Sequence, residues 1–112
     1  MIRILYALST LGVILLGLAH AILTFVRYQS FSAEAFWFFS AGLALLFAGV
    51  TNILHYQLWS PLTFACALLV NILLALFTLT LGIKVPAPTT ILVAIFALLM
   101  CLTGALTYRQ LG

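Results

Sequence analysis

Charged side chains divide this chain into three uninterrupted apolar stretches, residues 4–26, 35–83 and 85–108. A helix needs about 20 apolar residues to cross a hydrocarbon layer of roughly 30 Å. The outer stretches therefore predict one membrane span each, and the middle one, broken at Ser60-Pro61, predicts two. The expected helices are residues 4–27, 33–56, 61–81 and 88–108. Ser32 reads as the N-cap of the second helix, with Glu34 in its first turn, where a carboxylate meets the positive end of the macrodipole. Ser60-Pro61 gives the same signal for the third helix, a hydroxyl cap followed by a proline whose missing N–H costs nothing there. Pro86 and Pro88 bracket a short stiff link before the fourth. The first link, Tyr28-Gln29-Ser30-Phe31, is equally short. Short links require antiparallel neighbours, so the expected fold is an all-α membrane protein. It is an antiparallel four-transmembrane-helix bundle, a single domain over residues 1–112 with both termini on one side.

Polar and small residues recur on one side of each predicted helix. At ~100° per residue, Tyr6, Ser9, Thr10, Gly17, His20, Thr24 and Arg27 share an arc of about 120° on helix 1. On helix 2, Glu34, Trp37, Ser40, Ala41, Ala44, Ala48, Thr51, Asn52 and His55 share another, opposite Phe36, Phe39, Leu43, Leu46, Val50 and Leu54. Helix 3 aligns Ala67, Asn71, Ala75, Thr78 and Gly82, and helix 4 aligns Thr90, Ala94, Ala97, Cys101, Gly104 and Tyr108. These seams should face protein, because small residues let backbones approach and polar groups avoid lipid by bonding across the bundle. Asn52 and Asn71 are the expected interhelical contacts.

Composition narrows the class further. With 67% hydrophobic and 4% charged residues, a soluble monomer is excluded, since a water-facing surface needs about a quarter of its residues charged. The net charge of +3 comes from Arg3, Arg27, Lys84 and Arg109 against Glu34, all at span ends. Four scattered cations are interfacial anchors and leave no track for nucleic acid. Arg3 and Arg109 on one side match Arg27 and Lys84 on the other, and the termini are expected in the cytoplasm. Tyr6, Tyr56, Trp59 and Tyr108 should gather on the terminal side, with Tyr28 and Trp37 near the other. Ala19-His20-Ala21 imitates a signal-peptide cleavage site, but the apolar run continues through Ile22, Leu23, Phe25 and Val26, so a retained span is expected.

His20 is the sharpest candidate for chemistry, because an ionisable side chain inside a span is costly and points to function. Glu34 begins helix 2 at the same rim, with Ser40 and Thr78 at comparable heights. A His20-Glu34 pair, direct or through water, would take up and release protons near neutral pH. The alternative is a neutral His20 bonded to a hydroxyl or carbonyl. His55 lies near the terminal-side interface, where water and headgroups make an imidazole inexpensive. The two histidines differ in depth by roughly 20 Å, too far to share a metal or haem, and no third histidine supplies another axial ligand. Cys66 and Cys101 stand isolated in different helices, without CxxC or HExxH spacing. No metal or cofactor is expected. Ser-His-Asp catalysis lacks an aspartate, and Glu34 has no second carboxylate, so no enzyme is expected either.

Gly17-Leu18-Ala19-His20, Trp37-Phe38-Phe39-Ser40-Ala41-Gly42-Leu43 and Gly49-Val50-Thr51-Asn52 resemble a group of small, functionally uncharacterised bacterial four-helix membrane proteins. The resemblance covers mainly the first half of the chain. It implies a bacterial inner-membrane location and brings no activity or ligand. Small multidrug transporters share the length and the four spans, but residues 4–26 contain no counterpart of their membrane carboxylate. The leading expectation is a non-catalytic accessory or oligomer-forming membrane component, whose partners are lipids and a second copy or another membrane protein. The alternative is a small transporter or proton-linked carrier using His20 and Glu34, and the third reading is a haem- or quinone-binding protein.

Overall fold

Helix boundaries fall where the sequence supplies acceptors for free N–H groups or removes them. The computed structural model describes residues 1–30 and 32–110; Phe31, in the first link, lies outside the described residues. The elements are α1 (Ile2–Arg27), α2 (Ala33–Leu58), α3 (Pro61–Lys84) and α4 (Pro88–Leu106), the last continued by a 3₁₀ turn, Thr107–Gln110. Ser32 caps α2 by accepting the Ala35 N–H at 3.3 Å. Ser60 and Thr63 form a reciprocal capping box at 3.2 Å in both directions, and Pro61 opens α3. At α4 the hydroxyl of Thr90 accepts the Ala87 N–H at 3.0 Å, and Pro88 takes the first helical position.

Three of the helices run further than the sequence pattern suggests. α1 starts at Ile2, α2 continues to Leu58 and α3 passes Gly82 to reach Lys84. Gly82 does not stop α3 because it keeps a negative φ; among the described residues only Trp59 has a positive one, 50°. That left-handed residue ends α2 and lets its N–H bond to His55 O at 2.7 Å. A left-handed backbone is unfavourable for a non-glycine residue. Its ring stacks on His55 (5.1 Å, 6°), and the Arg3 guanidinium lies 4.6 Å above it, contacts that hold the conformation.

The four helices form a ring in which α1 packs on α2 and α4, and α3 packs on the same two. All four are long and apolar enough to cross a membrane, with mean hydropathies from 1.7 to 2.4. The molecule measures 50 × 25 × 20 Å, the long dimension exceeding a bilayer with its headgroups, about 40–45 Å. Large apolar side chains such as Leu15, Phe47, Leu73, Phe77 and Leu102 point outwards, while Asn52, His55, Asn71, Thr78 and Thr107 are buried. This polar-inside, apolar-outside distribution suits a hydrocarbon solvent and marks the chain as an integral membrane protein.

A close backbone approach joins α1 and α2. A Cβ on Gly17 would sit 2.9 Å from Gly42 O, and one on Gly42 would sit 2.8 Å from Gly17 O, so glycine is required on both sides. Buried positions on α2 are Ala35, Gly42, Leu45, Ala48, Gly49, Asn52 and His55, with seven-residue steps through 35, 42 and 49. Counting 3.6 residues per turn drifts about 20° per heptad from such a repeat. That drift corrects the expected inner face: Trp37, Ser40 and Ala44 point outwards, and Glu34 in the first turn is exposed too. On the opposite side Phe39, Leu43 and Leu46 are half-buried, while Phe36, Val50 and Leu54 stay outside. One aromatic placement also changes. Tyr6 is buried, as its place in the α1 seam requires, but Tyr108 is exposed because Thr107 takes the inward position at the end of α4.

Candidate functional site

The polar residues separate into a closed network at one end of the bundle and an open cleft at the other. In the network, Asn52 Nδ2 donates to Asn71 Oδ1 at 2.7 Å, and Asn71 Nδ2 donates to Asn52 Oδ1 at 2.8 Å. The second Asn52 amide hydrogen goes to Ala48 O at 2.7 Å, and Tyr6 donates its phenol to Asn52 Oδ1 at 2.5 Å. Gly104 makes the space: a Cβ there would meet Asn71 Nδ2 at 3.1 Å and the Tyr6 ring at 3.2 Å. Ser9 of α1 and Thr103 of α4 lie 3.4 Å apart through their hydroxyls. All four helices contribute to this end.

His55 completes the network, with no exposed surface. Its Nδ1 lies 2.9 Å from Thr63 Oγ1 and its Nε2 lies 3.0 Å from Thr107 Oγ1. The distances favour one tautomer of a neutral ring. Thr107 donates its single hydroxyl hydrogen to Gly104 O at 2.6 Å, so towards His55 it accepts, and Nε2 carries the ring proton. Nδ1 of a neutral ring then accepts from Thr63. Thr63 Oγ1 also lies 3.0 Å from Ser60 O but is nearer the ring nitrogen at 2.9 Å, whereas Thr107 Oγ1 is nearer Gly104 O than Nε2. Tyr6, Trp59 and Phe64 enclose the imidazole with ring contacts at 6.1, 5.1 and 5.7 Å. A position expected at an inexpensive interface is fully buried where α1, α2, α3 and the turn after α4 meet.

At the other end, His20 donates from Nδ1 to Leu16 O at 3.1 Å; a carbonyl only accepts, so Nδ1 holds the proton. Nε2 has no hydrogen-bond partner among the described residues. The ring stacks on Phe38 at 4.8 Å, and the Arg27 guanidinium lies 5.8 Å from the same phenyl ring. Leu16, Ala19, His20, Leu23, Arg27, Phe38 and Thr89 line a cleft of about 210 Å³ here. A larger cleft of about 330 Å³ lies between α1 and α2 nearer the network, lined by Ala7, Thr10, Leu11, Ile14, Ile53, Tyr56 and Gln57.

No direct hydrogen bond joins His20, Glu34, Ser40 and Thr78 to one another among the described residues. Glu34 is exposed and has no hydrogen bond or ion pair among the described residues. Ser40 is exposed and donates to Trp37 O at 2.7 Å on its own helix. Thr78 is buried but donates to Ala75 O at 3.2 Å, again within its helix. The physical reason is the α2 register: Phe38, not Glu34, lies against the His20 ring. Cys66 and Cys101 are free thiols. Thr63 and Thr107 were not singled out from sequence, although Thr63 follows a Ser-Pro cap and so had a fixed place one turn from His55. Comparison with protein-family models, curated proteins and solved structures gives no match.

Proposed function

We propose that this protein is a non-catalytic component of a bacterial inner membrane, an accessory subunit or self-associating element. Its four spans run up-down-up-down, with both termini on the cytoplasmic side. The observation that supports this reading is the closed network at Tyr6, Asn52, His55 and Asn71, in which each polar group is matched within the bundle. A carrier needs polar groups that exchange partners as its cargo moves. Here those groups are committed to holding helices together, and no direct hydrogen bond joins His20 to Glu34 among the described residues.

Reconstitution of the full chain into sealed vesicles under an imposed pH gradient tests the reading. The expected result is proton flux no greater than that of empty vesicles, with the purified protein running as more than one chain per micelle or in a complex with another membrane protein. Flux above background that His20→Leu abolishes would overturn it in favour of a proton-linked carrier.

A further inference from the structure

The cleft at His20 leaves three polar groups free on one apolar wall. Arg27 closes α1 with a guanidinium whose contact is the Phe38 ring, and among the described residues no carboxylate pairs with it. Thr89, the second residue of α4, presents a hydroxyl that has no hydrogen-bond partner among the described residues, beside the positive end of that helix. His20 Nε2 is a lone-pair acceptor, because Nδ1 carries the proton to Leu16 O. Leu16, Ala19 and Leu23 form the apolar wall.

These groups differ in depth and in what they accept. Arg27 lies seven residues beyond His20 on α1, about 10 Å along the axis, so the cation sits at the rim and the imidazole acceptor lies deeper. Allowing for the reach of the arginine side chain, a ligand touching both has an anionic head at the rim and a hydroxyl donor a few ångströms further in. Below the hydroxyl it must be apolar. A diacyl phospholipid fails this pattern below the phosphate, since the oxygens of its backbone glycerol are all esterified and offer no hydrogen to Nε2. A phospholipid with one acyl chain keeps a free glycerol hydroxyl at that depth.

We propose that the cleft binds a single-chain anionic phospholipid. Its phosphate receives hydrogen bonds from Arg27 and Thr89, its free glycerol hydroxyl donates to His20 Nε2, and its one chain lies along Leu16, Ala19 and Leu23. The cleft volume of about 210 Å³ is below the 300–1,000 Å³ usual for drug-sized ligands, consistent with enclosing only the polar head and the start of one chain. Discrimination comes from the imidazole, because a bound analogue that lacks the hydroxyl covers Nε2 without replacing the water that can reach it in the open cleft. The inference is independent of whether the bundle associates with other proteins.

Native mass spectrometry of the full chain in dodecyl maltoside, titrated with defined lipids, tests it. The expected order is monoacyl phosphatidic acid bound at least tenfold more tightly than diacyl phosphatidic acid, than a monoacylglycerol without phosphate, and than glycerol 3-phosphate without a chain. Arg27→Gln should weaken the monoacyl phospholipid tenfold or more and leave the monoacylglycerol unchanged. His20→Phe should bring the monoacyl and diacyl lipids to similar affinity. In ¹⁵N-histidine spectra, the monoacyl phospholipid should shift the His20 Nε2 resonance and leave that of His55 in place. Equal affinity of the unsubstituted protein for the monoacyl and diacyl lipids would overturn the proposal, whether or not the variants fold. So would glycerol 3-phosphate binding as well as the lipid, which would make the cleft a soluble-phosphate site.

Discussion

Asn52 and Asn71 exchange two hydrogen bonds, 2.7 and 2.8 Å long, between α2 and α3. The pair spends both oxygens and most amide hydrogens inside the bundle, and Tyr6 adds α1 to the same junction. Interhelical polar contacts in lipid contribute on average about 0.6 kcal/mol and up to about 2 kcal/mol each. Asn71→Leu breaks two of them and leaves an Asn52 N–H unpaired. Its expected cost is about 1–2 kcal/mol in reversible unfolding from mixed micelles. Asn52→Leu combined with Asn71→Leu should cost less than the sum of the single changes, because the second removes a group already orphaned.

Gly17→Ala tests the α1–α2 contact. Its Cβ would lie 2.9 Å from Gly42 O, a backbone atom that moves only if the helices separate. Overpacking of this kind costs about 1–3 kcal/mol, measured by the same unfolding. Gly82→Ala, whose Cβ would meet nothing closer than Thr90 O at 3.9 Å, should be neutral or slightly stabilising.

Thr10→Val should behave in the opposite sense. Thr10 Oγ1 is the one buried side-chain polar atom without a hydrogen-bond partner among the described residues. Tyr6 O, the carbonyl one turn before it, instead receives the Ser9 hydroxyl at 3.0 Å. Replacing an unpaired hydroxyl by an isosteric methyl removes a desolvation penalty. Thr10→Val is expected to raise stability by up to about 1 kcal/mol in the same assay. A loss would show that Oγ1 finds a partner in the membrane.

The spans were legible in the sequence because lipid forces the issue: a charge-free stretch long enough to cross has few other solutions. Ser60-Pro61 and Ser32 were equally legible, since a hydroxyl cap acts through residues three positions away. What meets His20 was not. The answer depends on whether α2 repeats at 3.5 or 3.6 residues, and the difference accumulates over the distance from Asn52 to Phe38. His55 was misjudged for a related reason. Its depth near a rim was readable, but Thr107 reaches it from 52 residues away, and only packing brings the two together.

Membrane topology has its own check. With Cys66 and Cys101 replaced by Ala, single cysteines at Met1 and Arg109 should both react with an impermeant maleimide from one side of sealed vesicles. A cysteine at Ser30 should react from the other. Labelling of residues 1 and 109 from opposite sides would eliminate the up-down-up-down arrangement.

The tautomer of His55 tests the closed network most directly, because a neutral ring bonded at both nitrogens donates to one threonine and accepts from the other. ¹⁵N-histidine NMR of the full chain in nanodiscs reads it. The network predicts a neutral ring protonated at Nε2, with a scalar or cross-peak connection to Thr107 and an Nδ1 that accepts from Thr63, and Thr107→Val should perturb that signal without unfolding the protein. A His55 protonated at Nδ1, or doubly protonated, in the folded protein would contradict the account.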